Sequence, residues 1–223
     1  MTNFCANLSM LYNEVDFLSR FDEAAKAGFQ GVEYLFPYAF EKQQLVDCLG
    51  RNKLTQVLHN LPAGDWEGGE RGIACLPDRV DEFQQGVGKA VEYATSLGCK
   101  QVNVLAGIAP EGIADDVLNE TLINNLRFAA SELKKSGVSL LVEAINTRDI
   151  PGFHITTTQQ TLDIIKAVDN DNIFVQYDIY HMQVMEGDIA LTIGNNLSQI
   201  AHIQIADNPG RNEPGTGELN YPF

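Results

Sequence analysis

Basic residues are scarce in this chain: 15 Lys and Arg stand against 30 Asp and Glu, for a formal net charge of −15 over 223 residues. Such acidity repels polyanions and argues against nucleic acid or an anionic membrane surface as partner. An anionic substrate would have to meet local positive charge, from an arginine or a bound cation. Cysteine is sparse too. Cys5, Cys48, Cys75 and Cys99 are widely spaced and form no CxxC pair, which disfavours a disulfide framework or a cysteine zinc site and suits reduced thiols in a cytoplasmic protein. No run of about 18 apolar residues is present to span a membrane. The N-terminus lacks the basic start and apolar run of a signal peptide. Two phosphate-cradling motifs are also missing. LSMLYNEVDF, which follows the first apolar segment, has no glycine, against a Rossmann fingerprint, and no GxxxxGK[ST] loop exists.

What the chain does contain is a regular beat. Short apolar runs at 4–10, 31–37, 54–62, 101–107, 139–145, 173–181 and 200–207 read as strands. Between them lie stretches of helical spacing: Phe17, Phe21, Ala24 and Ala25; Val87, Val91 and Ala94; Leu122, Leu126, Ala129 and Leu133. Gly28, Gly98 and Gly137 stand where helices should stop. Near-continuous apolar strands alternating with amphipathic helices predict a parallel sheet with helices outside. The expected architecture is a (β/α)8 TIM barrel forming one domain over 1–223, rather than a doubly wound sheet. Seven strands are visible where a barrel needs eight. Either the chain stops short of the last strand and its flanking helices, roughly 30–40 residues, or the fold closes differently; the first is expected.

Barrel enzymes place their chemistry at the C-terminal ends of the strands. Those ends carry Glu33, His59 with Asn60, Glu143, Asp178 with His181, and His202 with Gln204 and Asp207. The segment FVQYDIYH (174–181) shows the pattern most sharply, because a buried strand should not end in an ionised carboxylate unless it is paired or metal-bound. Glu143, Asp178 and Gln204 come from three successive strands, and all offer oxygen. Such a set suits a hard divalent ion, Mg²⁺ or Mn²⁺, where zinc would recruit more His or Cys. The bland alternative is that each is a hydrogen-bonded strand-end residue or a helix cap.

Several stretches together resemble the hydroxypyruvate isomerase family of xylose-isomerase-like barrels: NLPAGDWEGGERGIACLP (60–77), VNVLAG (102–107), LLVEAIN (140–146), QYDIYH (176–181) and HIQIAD with the following PGR and EP (202–214). The resemblance runs from ANLSMLY to GELNYPF. It implies a metal-assisted aldose–ketose interconversion of hydroxypyruvate and 2-hydroxy-3-oxopropanoate (tartronate semialdehyde). It implies Glu143 as a catalytic glutamate and metal ligand, with Asp178 and Gln204 as further ligands. Many related epimerases have His where this chain has Gln204. A second catalytic glutamate is implied on the eighth strand, and a chain lacking it is expected to be inactive. Homo-oligomerisation is implied by the resemblance alone. The chemistry accounts for the residue types: a proton leaves a carbon beside a carbonyl, a cation stabilises the enediolate oxygens, and carboxylates serve as base and acid.

Loop residues complete the expected site. The segment 62–72 should lie over the barrel mouth as a lid, with Arg71 pairing the substrate carboxylate and Trp66 covering or anchoring it. Arg211 is expected to contact the substrate or a catalytic carboxylate, His59 to bind substrate, and His181 to donate a hydrogen bond to a substrate oxygen. Glu33 and His202 read as interior structural residues. Three competing functions remain: an isomerase of a longer acid such as a 2-oxo-tetronate, a metal-dependent endonuclease on abasic DNA, and a non-catalytic binding barrel. Few histidines, 4 in all, and the negative charge count against the endonuclease.

Overall fold

A computed structural model describes residues 3–223. Seven parallel strands form one sheet in sequence order: β1 (Cys5–Asn7), β2 (Gly31–Glu33), β3 (Thr55–Asn60), β4 (Gln101–Val104), β5 (Ser139–Glu143), β6 (Ile173–Asp178) and β7 (Ile200–Gln204). The crossovers carry α1 (Phe17–Lys26), α2 (Lys42–Asn52), α3 (Val80–Leu97), α4 (Asp115–Lys135), α5 (Thr158–Val168), and the pair α6 (Ile179–Met185) and α7 (Ile189–Asn196). This is the strand–helix beat of the sequence, with all neighbours parallel, as expected for the barrel architecture with seven of its strands described.

Local chemistry sets the boundaries. Helix α5 opens with a reciprocal capping box between Thr157 and Gln160, and α2 with one between Glu41 and Gln44. Gly98 ends α3 at φ 67°, a left-handed turn that glycine adopts without a Cβ clash. All seven strands are shorter than the apolar runs predict. After β1, Asn7 turns the chain: its carbonyl accepts from the amides of Met10 and Leu11, and its Oδ1 from that of Ser9. After β6, Asp178 caps a new helix, so the apolar Ile179 and Tyr180 belong to α6 rather than to the strand.

The core lies between sheet and helices. Leu118, Leu122, Leu126, Ala129 and Leu133 make the buried stripe of α4, at the spacing of one helix face. They belong to the same core as Val102 of β4 and Leu140 and Val142 of β5. Truncating one such leucine to alanine would cost about 2–5 kcal/mol. All four cysteines are unpaired thiols, three of them buried. No helix among the described residues is long and apolar enough to cross a membrane.

The sheet is curled. Glu33 at the end of β2 bonds His202 Nε2 and Gln204 Nε2 of β7, each at 2.6 Å, so strands near opposite edges of the sheet touch. Between them the C-terminal strand ends converge. Strands β1, β2, β3, β5, β6 and β7 end on Asn7, Glu33, Asn60, Glu143, Asp178 and Gln204, six polar residues at one mouth.

Candidate active site

The mouth encloses a cavity of about 210 Å³. Its wall includes Glu143, Gln176 and Gln204 from the last strands, His181 from α6, and Arg71 and Arg211 from the loops above. Register explains the floor. Glu143 lies beside Gln176 across β5 and β6, and Asp178 lies beside Gln204 across β6 and β7.

Glu143 is buried. Its Oε2 accepts from Asn103 Nδ2 and Gln176 Nε2, both at 2.9 Å. Burial and the neighbouring charge of Asp178 push its carboxyl up to about 8, against the opposing pull of Arg211 and Asn103. Asp178 divides its two oxygens. Oδ1 caps α6, accepting from the amides of Tyr180 at 2.8 Å and His181 at 3.3 Å. Oδ2 faces the site and accepts from Arg211 Nη2 at 2.7 Å. The capping role weighed from the sequence is therefore real and uses only half of the carboxylate.

His181 reaches the same floor because the strand ends at Asp178. Strict alternation would turn it to the opposite face, but three residues into α6 it points back over the strand end. Its Nε2 lies 3.7 Å from Asp178 Oδ2 and 4.0 Å from Glu143 Oε1. Burial depresses its basicity, partly opposed by Asp178.

Gln204 sits in a relay. Its Nε2 donates to Glu33 Oε1 at 2.6 Å, and its Oε1 accepts from Gln176 Nε2 at 3.1 Å. The same Gln176 nitrogen donates to Glu143, so the Gln204 oxygen and a Glu143 oxygen converge on one donor. Glu33 anchors the far end, also accepting from Asn7 and His202. Burial works against its charge, yet His202, Gln204 and Cys5 outweigh burial and hold its carboxyl below the usual range.

The donor set fits a hard divalent cation. Glu143, Asp178 and His181 each offer an atom within 4.8 Å of the others, and the Gln204 oxygen adds a carboxamide nearby. Glu143 and Asp178 crowd two carboxylates into a buried space, which a cation would relieve. A second group, Cys5, Glu33 and His202, is as compact, but its members already bond one another, and burial and Glu33 push the Cys5 thiol up.

Arg71 projects from the 62–72 loop over the indole of Trp66, 4.2 Å from its centroid. Its Nη1 donates to the carbonyls of Trp66 and Glu70 at 2.9 and 2.7 Å. The loop is tethered at both levels. Gly72 bridges to Ala106, where a Cβ would meet the Leu105 carbonyl, and Arg79 clamps Glu70 at 2.7 Å. Trp66 packs edge-on against Phe36 with centroids 5.0 Å apart.

Four strand-end candidates are not in the cavity wall: Asp178 meets it through Arg211 and His181, while His59, His202 and Asp207 lie outside it. His59 is fully buried and turned toward the helices, where its ring meets Tyr38. Neighbouring residues of a strand face opposite sides, and it is Asn60 that lines the cavity. Burial lowers His59 to about 4, so it is neutral. Asp207 gathers the amides of Asn208, Gly215 and Leu219 and organises the loop that carries Arg211. His202 serves Glu33. The sequence reading missed Gln176 and Asn103, the two amides that hold Glu143. Gln176 lies two residues before Asp178, so the alternation that aims Asp178 inward aims Gln176 inward as well.

Residues 21–223 match the family described as Xylose isomerase-like TIM barrel. The chain is 53% identical over 223 residues to the hydroxypyruvate isomerase of Escherichia coli (strain K12), covering all of this chain and 86% of that protein. It is 45% identical over 223 residues to the 2-oxo-tetronate isomerase of Cupriavidus necator, with the same coverage, 100% and 86%. Among solved structures, one described as AP endonuclease, family 2, from Brucella melitensis superposes with a TM-score of 0.97 at 45% identity, covering 100% of this chain and 86% of that one.

Proposed function

We propose that this chain, a member of the Xylose isomerase-like TIM barrel family and an isomerase, interconverts hydroxypyruvate and 2-hydroxy-3-oxopropanoate through an enediolate, with Glu143 as the proton-transferring base. The observation that carries this reading is a buried Glu143 held up to about 8 beside Asp178, at the floor of a small cavity whose loops supply two arginines. A carboxylate so placed is poised to exchange a proton near neutral pH.

The arginines divide their work. Arg211 is bound to Asp178 at 2.7 Å and spends part of its charge there. Arg71 bonds only neutral carbonyls through Nη1, so its charge is available to a substrate carboxylate, offsetting the repulsion of a chain with net charge −15. With the carboxylate on Arg71, the hydroxymethyl carbon points down toward Glu143. Glu143 takes a proton from that carbon, the hydroxyl proton passes to the former carbonyl oxygen, and the proton held on Glu143, or one exchanged for it from solvent, returns to the former carbonyl carbon and completes the isomerisation. His181 holds a hydrogen bond toward the developing oxygen charge. Glu143, Asp178 and Gln204 would hold Mg²⁺ or Mn²⁺, which supplies electrostatic stabilisation of the enediolate oxygens.

A longer 2-oxo-tetronate is the second reading, favoured by the 45% identity to an isomerase of that name. An endonuclease reading, suggested by the name of the Brucella melitensis protein, would need a cationic groove for the phosphodiester backbone. The cavity offers two arginines on an acidic chain. Small hydroxy-oxo acids incubated with the protein, Mg²⁺ or Mn²⁺ and deuterated solvent test the proposal by proton NMR. Deuterium entering the hydroxymethyl carbon of hydroxypyruvate reports the Glu143 step by itself. Exchange into the tetronate and not into hydroxypyruvate would transfer the assignment to the longer acid, and exchange into neither would overturn it.

A further inference from the structure

Asn146 lies in the loop after β5, fully buried, and meets the cavity floor through His181. Its side-chain amide is completely employed. Oδ1 accepts from the backbone amide of Asp149 at 2.8 Å. Nδ2 donates to Asp149 Oδ2 at 3.1 Å and lies 2.6 Å from His181 Nδ1.

These partners fix which end of the amide is which. The backbone amide of Asp149 can only donate, so it must meet the oxygen. The carboxylate of Asp149 can only accept while ionised, so it must meet the nitrogen. Rotating the amide would set donor against donor and acceptor against acceptor. The nitrogen therefore faces His181. The backbone amide of Asn146, also a pure donor, points at the same Nδ1 from 3.5 Å. Two donors on one ring nitrogen leave it no hydrogen of its own.

We propose that Asn146 is a positioning residue that locks His181 in the tautomer with its hydrogen on Nε2. In that form the Nε2–H projects into the space between Asp178 and Glu143, 3.7 and 4.0 Å from their oxygens. Both separations exceed a hydrogen bond, so the hydrogen is available to a substrate oxygen lying between the carboxylates. The same hydrogen removes Nε2 from the metal-ligand set. His181 completes a compact three-residue group, yet as a protonated Nε2 it cannot coordinate, and the cation is left with oxygen donors. The role assigned to the donated hydrogen rests on the isomerase reading above; the tautomer itself does not.

The test is long-range proton–nitrogen NMR of the chelator-treated protein labelled with ¹⁵N-histidine, at about pH 8, above the ordinary histidine range. Only 4 histidines are present, and His181→Gln identifies the signal. The expected result is protonated Nε2 and bare Nδ1 in the wild type, unchanged when Mg²⁺ is added. Asn146→Asp, which puts an acceptor against Nδ1, is expected to move the hydrogen to Nδ1. It should also slow deuterium exchange into the substrate about tenfold or more with KM little changed. A wild-type His181 protonated on Nδ1, or an Nε2 that loses its hydrogen to Mg²⁺, overturns the proposal. If Asn146→Asp does not fold, the wild-type spectra decide. Because those spectra need no substrate, a protein that exchanges deuterium into neither hydroxypyruvate nor the tetronate but shows the Nε2–H form defeats the isomerase reading and leaves the tautomer lock standing.

Discussion

Replacing Glu143 by glutamine should make the cation-depleted protein more stable and less active at once. The residue is fully buried, and burial with the charge of Asp178 lifts its carboxyl from an ordinary 4.5 to about 8. In the unfolded chain it ionises near 4.5; in the folded protein it holds its proton until about 8. The unfolded state thus binds fewer protons across that window, and folding stability falls as pH rises through it. Below about 4.5 the penalty is absent; above about 8 it is complete. At about 1.36 kcal/mol per pH unit its ceiling is about 5 kcal/mol. Glutamine has no charge to desolvate and keeps an oxygen to accept from Asn103 and Gln176. Chelator-treated Glu143→Gln should therefore melt several degrees above wild type at pH 8.5, at about 2–4 °C per kcal/mol for a chain of this size. The gap should close toward pH 5. The same variant should lose solvent exchange at the hydroxymethyl carbon by 100-fold or more, the usual contribution of a general base. Thermal melts from pH 5 to 8.5 check the first part and deuterium NMR the second. A wild-type protein whose stability relative to Glu143→Gln does not change with pH would refute the electrostatic account; exchange within about tenfold of wild type would refute the base.

Asp178→Asn keeps an oxygen to cap α6 and removes the charge of Oδ2, so it should weaken Mg²⁺ binding about tenfold or more by titration calorimetry with little loss of helix; unchanged affinity would reduce Asp178 to a cap. Arg71→Met should raise KM for the carboxylate substrate about tenfold or more, the worth of a charged hydrogen bond of about 1.5–3 kcal/mol, and leave kcat within a few-fold; a fall confined to kcat would contradict the assignment. His59, held down to about 4 by burial, should cost stability as pH falls from about 6.5 to about 4, at most about 3 kcal/mol. His59→Phe should flatten urea-measured stability over that range and leave substrate KM unchanged.

How far the site was legible depended on how locally each side chain is placed. Glu143, Asp178 and Gln204 could be read because they close three successive strands, and strand ends follow from the apolar pattern. The parallel order followed from the same beat of apolar runs and amphipathic stretches. The structure keeps His59 out of the cavity wall and puts Asn60 in it, a placement the pattern already held, since alternation lets only one of the two face the cavity. His181 needed one more fact, that Asp178 starts a helix rather than merely ending a strand. An Asp followed three residues later by His is then a cap followed by a residue pointing back over it. Strand lengths were overestimated after β1 and β6 because apolar character was taken for extended backbone, whereas Asn7 and Asp178 turn the chain through their own hydrogen bonds.

The orientation of the amides lay beyond sequence reasoning, and the site's chemistry depends on it. Gln204 presents oxygen to the site because Glu33, 171 residues away in the chain, takes its nitrogen. Had Glu33 been an uncharged donor, Gln204 would turn its nitrogen inward and lose its value to a cation. Gln176 relays the same polarity to Glu143, and Asn146 imposes it on His181 from the other side. Each amide is oriented by an acidic side chain: Glu33 for Gln204, Glu143 for Gln176, and Asp149 for Asn146. The acidity that first distinguishes this chain thus has an internal counterpart. Acidic groups, Glu33 and Glu143 buried and Asp149 exposed at the rim, orient neutral amides, the amides direct oxygen or N–H toward the cavity, and the positive charge an anionic substrate requires is left to Arg71 and to the cation that the oxygen set fits.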